Sequence, residues 1–124
     1  QDVLTQAAKP IRGARIMVLG VAFKANVSDT RESPGIELIA LLRERGAAVY
    51  YHDPLVPVLE PVRRHDVAMR STPLTEKTIR GVDLVLLATN QPGMDLGLVA
   101  RHAKIIVDTR NAFEGFKGAK VVKA

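Results

Sequence analysis

Three short apolar runs constrain the fold more than anything else in this chain: Ala14–Leu19 (ARIMVL), Asp83–Ala88 (DLVLLA) and Lys104–Val107 (KIIV). Each is too short to be a core helix and lacks the in-out alternation of a strand with one wet face. Runs of this kind read as strands covered on both sides. Helical signals stand between them. Ser33 suits an N-cap and Pro34 the first helical position, where its missing N–H costs nothing. Ile36, Ile39, Ala40, Leu41 and Leu42 then supply an apolar face. Arg43 and Arg45 favour the negative end of the helix dipole, and Gly46 stops the helix. Thr75–Arg80, closed by Gly81, and Asp95–Arg101 read as two further short helices.

The rest of the pattern is strand and turn. Ala47–Tyr51 predicts a second strand, ended at His52-Asp53-Pro54 because proline cannot continue a ladder. Residues 55–64, punctuated by Pro57 and Pro61, read as irregular. Val67–Met69 predicts a short third strand, and Val121–Val122 a last edge strand. Strands that alternate with helices imply crossover connections and a parallel sheet. The expected architecture is α/β: a Rossmann-like three-layer α/β/α domain with a mainly parallel sheet. The 124 residues suffice for one such domain and not two. Residues 1–12 read as a linker or helix tail arriving from an upstream domain, and 13–124 as the domain itself.

Composition removes several function classes. With no cysteine, the chain has no disulfide framework, no thiolate metal site and no thiol nucleophile. That absence fits a reducing cytoplasm. No apolar run approaches the roughly 20 residues that span a bilayer, and residues 1–10 lack the basic and apolar blocks of a secretory signal. His65 and His102 have no metal ligand at suitable spacing, and no G-x-S-x-G elbow supports hydrolase chemistry. The net charge of +5 invites a nucleic-acid reading. The basic residues are scattered, however, and only five aromatics accompany them. A phosphate-bearing small ligand suits the same field.

The segment after the first strand carries the functional argument. In an open parallel sheet, ligands bind beyond the carboxyl ends of the strands. Here that position is filled by Gly20 to Ser33, GVAFKANVSDTRES, far longer than the about 2–6 residues of a plain connector. It lacks the G-x-G-x-x-G turn that brings a dinucleotide pyrophosphate close, so NAD is not expected to bind here in the usual way. Instead it offers Lys24, Asn26, Ser28, Asp29 and Arg31 ahead of a helix N-terminus, groups suited to phosphate and hydroxyl oxygens.

At these residues the chain resembles a known family. The string LGVAFKANVSDTRESPGIELIALLRERGAAVYYHDP is similar to the C-terminal domain of the UDP-glucose/GDP-mannose dehydrogenase family. That family's pattern is an apolar strand, G-x-x-F-K-x-(D/N)-x-x-D-x-R-E-S-P, a helix, and a strand ending in (Y/H)-D-P. Leu87-Ala88-Thr89 and Val107-Asp108-Thr109-Arg110-Asn111 resemble its A-T-x-H and D-T-R-N stretches. The likeness runs from residue 14 to about 115 and looks closest to the branch acting on UDP-N-acetyl-hexosamines.

The resemblance implies roles. Phe23 and Lys24 match the pair that contacts the UDP-sugar. Arg31 matches the arginine that reaches the nicotinamide cofactor, NAD, held mainly by a separate N-terminal domain. Arg110 lies in the segment that supplies an arginine to the substrate, and the position of Asn111 is the alternative match. Gln91 departs from the pattern, where a histidine is common. The family oxidises C6 of the sugar twice, through a thiohemiacetal on an upstream cysteine that this chain lacks, so no catalytic residue is expected here. The implied partners are a UDP-sugar and the N-terminal and central helical domains of a cytoplasmic, homodimeric parent, without nucleic acid or membrane. UDP-N-acetylglucosamine, UDP-N-acetylmannosamine and UDP-glucose all remain open as the sugar. A reading from another class is a stand-alone, non-catalytic Rossmann-like domain that recognises a nucleotide for regulation.

Other residues have plainer expectations beside the functional ones. Asp29 suits bonding to loop backbone more than to ligand, and Ser33-Pro34 suits helix initiation. His52 beside Asp53 suggests a hydrogen-bonded turn before a proton relay. Phe113 and Phe116 are expected in the core.

Overall fold

A computed structural model describes residues 11–22, 33–59, 68–116 and 120–123. The strands are β1 (Arg15–Leu19), β2 (Ala48–His52), β3 (Val58–Leu59), β4 (Met69–Arg70), β5 (Leu84–Leu87), β6 (Ile106–Asp108) and β7 (Val121–Lys123). The helices are α1 (Pro34–Glu44), α2 (Glu76–Arg80) and α3 (Leu96–His102). Five strands form one sheet in the order β2-β1-β5-β6-β7. Every neighbouring pair in it is parallel, with Ile16 opposite both Val49 and Leu84, and Leu87 opposite Asp108.

The alternation of side chains along β1 sorts the core into two layers, as the pleat requires. Ile16 and Val18 face α1, where Ile36, Ile39, Leu42 and Tyr51 join them. Met17 and Leu19 face the opposite way, onto Ile79 of α2, Val99 of α3, and Phe113. β5 and β6 follow the same rule, Leu84 and Val107 on the first side and Val85, Leu87 and Ile106 on the second. Burying each such side chain contributes about 1.5–3 kcal/mol, and β1 and β5 collect that gain on both faces. The three-layer α/β/α expectation therefore holds.

The helices start where the capping chemistry indicates. Ser33 Oγ accepts the N–H groups of Gly35 and Ile36 at 3.1 and 3.4 Å. Thr75 and Thr78 form a reciprocal capping box at α2. Asp95 Oδ1 accepts Leu98 N–H at 3.0 Å. Leu41 departs from the expected apolar face and is 43% exposed. It falls outside the stripe that Ile36, Ile39 and Leu42 turn toward the sheet.

Two corrections concern the β2-to-β5 connection. The strand expected at Val67–Met69 runs over Met69–Arg70 and is not part of the main sheet. It pairs antiparallel with β3, which lies in the stretch expected to be irregular. Pro57 does not prevent this, because it precedes the two-residue strand and contributes only its carbonyl, to Ser71 N–H at 2.9 Å. Phe113 is buried as expected, whereas Phe116 is 37% exposed, with their rings tilted at 5.7 Å.

Gly20 closes β1 at φ +83, and a Cβ there would lie 2.1 Å from the carbonyl oxygen of Thr89. Gly13 has the same φ with nothing within 4 Å of its Cβ position. The pair separates backbone strain from crowding. Gly13→Ala is expected to cost about 1 kcal/mol, the left-handed penalty alone. Gly20→Ala is expected to cost roughly 2–4 kcal/mol. Urea unfolding of the two variants measures the difference, and equal losses would show that the approach to Thr89 carries no weight.

Candidate functional site

The sheet reverses its direction of growth between β1 and β5, since β2 lies on one side of that pair and β6 on the other. In open α/β sheets the crevice at such a switch point, beyond the carboxyl ends of the strands, is where ligands bind. Here it is framed by the segments after β1, β2, β5 and β6.

Backbone and short side chains weld these segments together. Gly20 N–H donates to His52 O at 2.9 Å, and Ala88 and Thr89 N–H both donate to Leu19 O, at 2.9 and 3.2 Å. Thr89 Oγ1 donates to Ala22 O at 3.1 Å. Ser33 Oγ donates to Val21 O at 2.5 Å while capping α1, so one buried hydroxyl fixes both the exit of β1 and the helix start. A Cβ on Gly35 would lie 2.7 Å from Gly20 O, which keeps α1 pressed against that exit.

This packing bears on NAD. A dinucleotide seated at a βα turn needs close-approach backbone and open N–H groups at the helix N-terminus. The close-approach position at Gly20 is filled by Thr89, and Ser33 occupies the N–H groups of Gly35 and Ile36. The described residues do not fit a pyrophosphate in that mode.

Two buried carboxylates hold the floor. Asp53, 1% exposed, accepts Val21 N–H and Leu55 N–H at 2.9 Å each and Gln91 Nε2 at 3.2 Å, linking the ends of β1, β2 and β5. Its own N–H donates to Ser71 Oγ at 3.0 Å. Gln91, the departure from the family pattern, is itself 2% exposed. Its amide supplies a donor to Asp53 without a titrating group. His52 ends β2 with its Nδ1 2.8 Å from Thr72 O, and the hydrogen-bonded turn follows at Asp53, whose carbonyl accepts Val56 N–H at 3.1 Å.

Asp108 is the second carboxylate, 2% exposed at the end of β6. Its Oδ1 accepts Arg110 N–H and its Oδ2 accepts Phe113 N–H, both at 2.8 Å. Burial opposes its charge, but the N–H groups of Phe113, Arg110, Ala112 and Asn111 outweigh that and lower its pKa below the ordinary carboxylate value. A depressed carboxylate contributes stability above its unfolded pKa and loses it as the pH falls through the folded one.

Of the residues singled out from the sequence, Arg110 is placed at this face. It is exposed, and its Nε donates to Ala88 O at 3.1 Å, so the side chain crosses from the end of β6 to the end of β5. Asn111 has φ 56 and is a turn residue; asparagine tolerates that conformation. Phe23, Lys24 and Arg31 lie outside the described residues, as do Asn26, Ser28, Asp29 and His65. Among the described residues no group of three or more His, Cys, Asp or Glu could hold a metal. No helix among them is long and apolar enough to cross a membrane. The sequence reading missed Asp53, Thr89, Gln91 and Asp108 as site-building groups. The polar residues directly after apolar strands were the available signal.

Tyr51 couples the floor to the α1-side core. It is fully buried, and its hydroxyl donates to Val56 O at 2.8 Å. Burial first, and then the negative charge of Asp53, push its phenol from 10.0 up to about 12. The folded state therefore holds this proton more tightly than the unfolded chain. Stability is fully present below pH about 10 and is lost as the pH rises toward about 12. In a Tyr50→Phe variant, where Tyr51 is the only tyrosine, phenolate absorbance is expected to appear only as the chain unfolds. Ionisation near pH 10 in a folded chain would refute it. Asp53→Ala leaves the Val21 and Leu55 N–H groups and the Gln91 amide without that acceptor. It is expected to lower unfolding free energy by about 2–4 kcal/mol, read by urea denaturation.

Known proteins share this architecture. Residues 17–115 match the family described as "UDP-glucose/GDP-mannose dehydrogenase family, UDP binding domain". The chain is 34% identical over 104 residues to the UDP-N-acetyl-D-mannosamine dehydrogenase of Pyrococcus horikoshii, covering 79% of this chain and 22% of that protein. It is 30% identical over 118 residues to a UDP-glucose 6-dehydrogenase of Bacillus subtilis, covering 90% of this chain and 25% of that one. Among solved structures, the UDP-glucose dehydrogenase of Pyrobaculum islandicum superposes with a TM-score of 0.66 at 35% identity, over 86% of this chain and 24% of that chain. The UDP-D-ManNAc dehydrogenase of Pyrococcus horikoshii superposes with a TM-score of 0.73 at 26% identity, over 98% and 28%. The chain thus spans about a quarter of the length of these relatives. With the fold, the strand-end crevice and the sequence match in agreement, the chain belongs to the UDP-glucose/GDP-mannose dehydrogenase family and corresponds to its UDP-binding domain.

Proposed function

We propose that this chain, with residues 13–124 as the folded unit and 1–12 as the connection to it, is the nucleotide-sugar-binding part of an NAD-dependent UDP-sugar 6-dehydrogenase. The observation that carries the reading is the anchoring of Arg110 over the end of β5, beside the switch-point crevice. A guanidinium held there by the scaffold suits a diphosphate or the hydroxyls of a sugar, because its planar fork pairs with two oxygens at once. Phe23 and Lys24, which follow Ala22 in the sequence, are the proposed companions: an apolar contact and a cation toward the UDP-sugar. Arg31 is proposed to reach toward NAD held by another domain of the parent protein. The net charge of +5 favours an anionic ligand over a neutral one.

Oxidation of the C6 hydroxyl to a carboxylate belongs to the parent protein. This chain's residues bind and orient. The nucleophile is proposed to lie elsewhere in the parent, since the chain holds no cysteine, and the crowded Gly20 turn supports placing NAD outside it too. The N-acetylated UDP-hexosamines and UDP-glucose are the proposed sugars, a homodimeric parent the proposed assembly, and the cytoplasm with polysaccharide precursor synthesis the proposed setting.

An NMR titration of the chain at fixed ionic strength, with UDP-N-acetylglucosamine, UDP-glucose, UMP and NAD in turn, tests this directly. The UDP-sugars are expected to shift the amides of Val21, Ala22, Thr89 and Arg110 saturably, with NAD leaving them in place. Saturable binding of NAD alone at those amides would overturn the assignment, and the order of affinities among the sugars ranks the substrate.

A further inference from the structure

Arg110 is tied to the scaffold at two points. Its backbone N–H donates to Asp108 Oδ1 at 2.8 Å, and its side-chain Nε donates to Ala88 O at 3.1 Å. Asp108 pairs in register with Leu87, the residue before Ala88, so the origin of the turn and the acceptor of the guanidinium are adjacent. Thr109 Oγ1 donates to Leu87 O at 2.6 Å and closes the same seam. Asn111, at φ 56, curls the chain back so that Phe113 N–H reaches Asp108 Oδ2 at 2.8 Å. Successive N–H groups in such a turn form a concavity that takes an anion. Here the chain's own carboxylate, 2% exposed, fills it.

The chemistry of that concavity is strict. A carboxylate accepts at both oxygens, whereas an amide of the same shape replaces one acceptor with a donor. In Asp108→Asn, an NH₂ meets an N–H on one side of the turn, and the ring that sets the backbone of Arg110 opens.

We propose that Asp108 is a positioning residue, whose buried carboxylate shapes the turn of residues 108–113 so that Arg110 is held across the end of β5 for the diphosphate of a nucleotide. The inference rests on the reading of Arg110 given under Proposed function, and its test separates the two. A carboxylate that served stability alone would change the unfolding midpoint and leave the Arg110 side chain in place.

The decisive measurement is the exchange of the Arg110 Nε–H in the 124-residue chain, assigned by its disappearance in Arg110→Lys. It is expected to be slow in the unaltered chain and about tenfold faster in Asp108→Asn, while core amides of β1 and β5 keep their protection. Fast exchange already in the unaltered chain, or equal exchange in Asp108→Asn, overturns the proposal. If Asp108→Asn does not fold, Asp108→Ala in excess formate replaces it: formate in the vacated concavity is expected to restore both folding and slow Nε–H exchange. Failure to restore slow exchange overturns the proposal. UDP affinity completes the test. Arg110→Ala and Asp108→Asn are each expected to weaken UDP about tenfold, and the double variant no further. Additive losses overturn the positioning role. Unchanged UDP affinity in Arg110→Ala overturns the ligand role of Arg110, with the Nε–H result still deciding whether Asp108 sets its posture.

Discussion

The domain depends on how closely its backbone passes itself at the exit of β1. Gly20 leaves the strand where a side chain would collide with Thr89 O, and Gly35 presses α1 against Gly20 O. Only hydrogen at both Cα positions lets strand, helix start and the end of β5 meet at this distance. Ser33 completes the junction by bonding Val21 O and capping α1 together. The same contact that joins the first crossover to the sheet thereby leaves no space for a dinucleotide turn.

From that junction outward, the site is organised by anions that belong to the protein. Asp53 gathers N–H groups from the ends of β1 and β2 and the Gln91 amide beyond β5. Asp108 gathers those of the turn after β6. Loops at the rim of a parallel sheet expose many backbone donors, and a buried donor without an acceptor is costly. Two short carboxylates satisfy several donors each while fixing loop shape. Beside them an exposed side chain, Arg110, is held by the scaffold at its Nε.

Much of this was readable from the residues. β1 and β5 were apparent because strands buried on both faces must be continuously apolar, and Ser33-Pro34 announced α1 through capping chemistry that is local by nature. The family string from Leu19 to Pro54 identified the family. What escaped was non-local. β3 and β4 exist only as a pair, each two residues long and separated by a stretch with no pattern of its own. Gln91 looked like a mere departure until its partner, 38 positions earlier, was placed beside it. Asp108 read as part of a motif, while its work depends on Asn111 turning the chain through a left-handed conformation.

The covered rim of β2 has a further consequence. β2 is an outer strand of the main sheet, and an outer strand with open backbone groups is a template for another chain. At its site end those groups are taken: Tyr51 O accepts Thr72 N–H at 2.6 Å, and Asp53 N–H goes to Ser71 Oγ. Another chain therefore cannot lengthen the sheet by pairing at this corner.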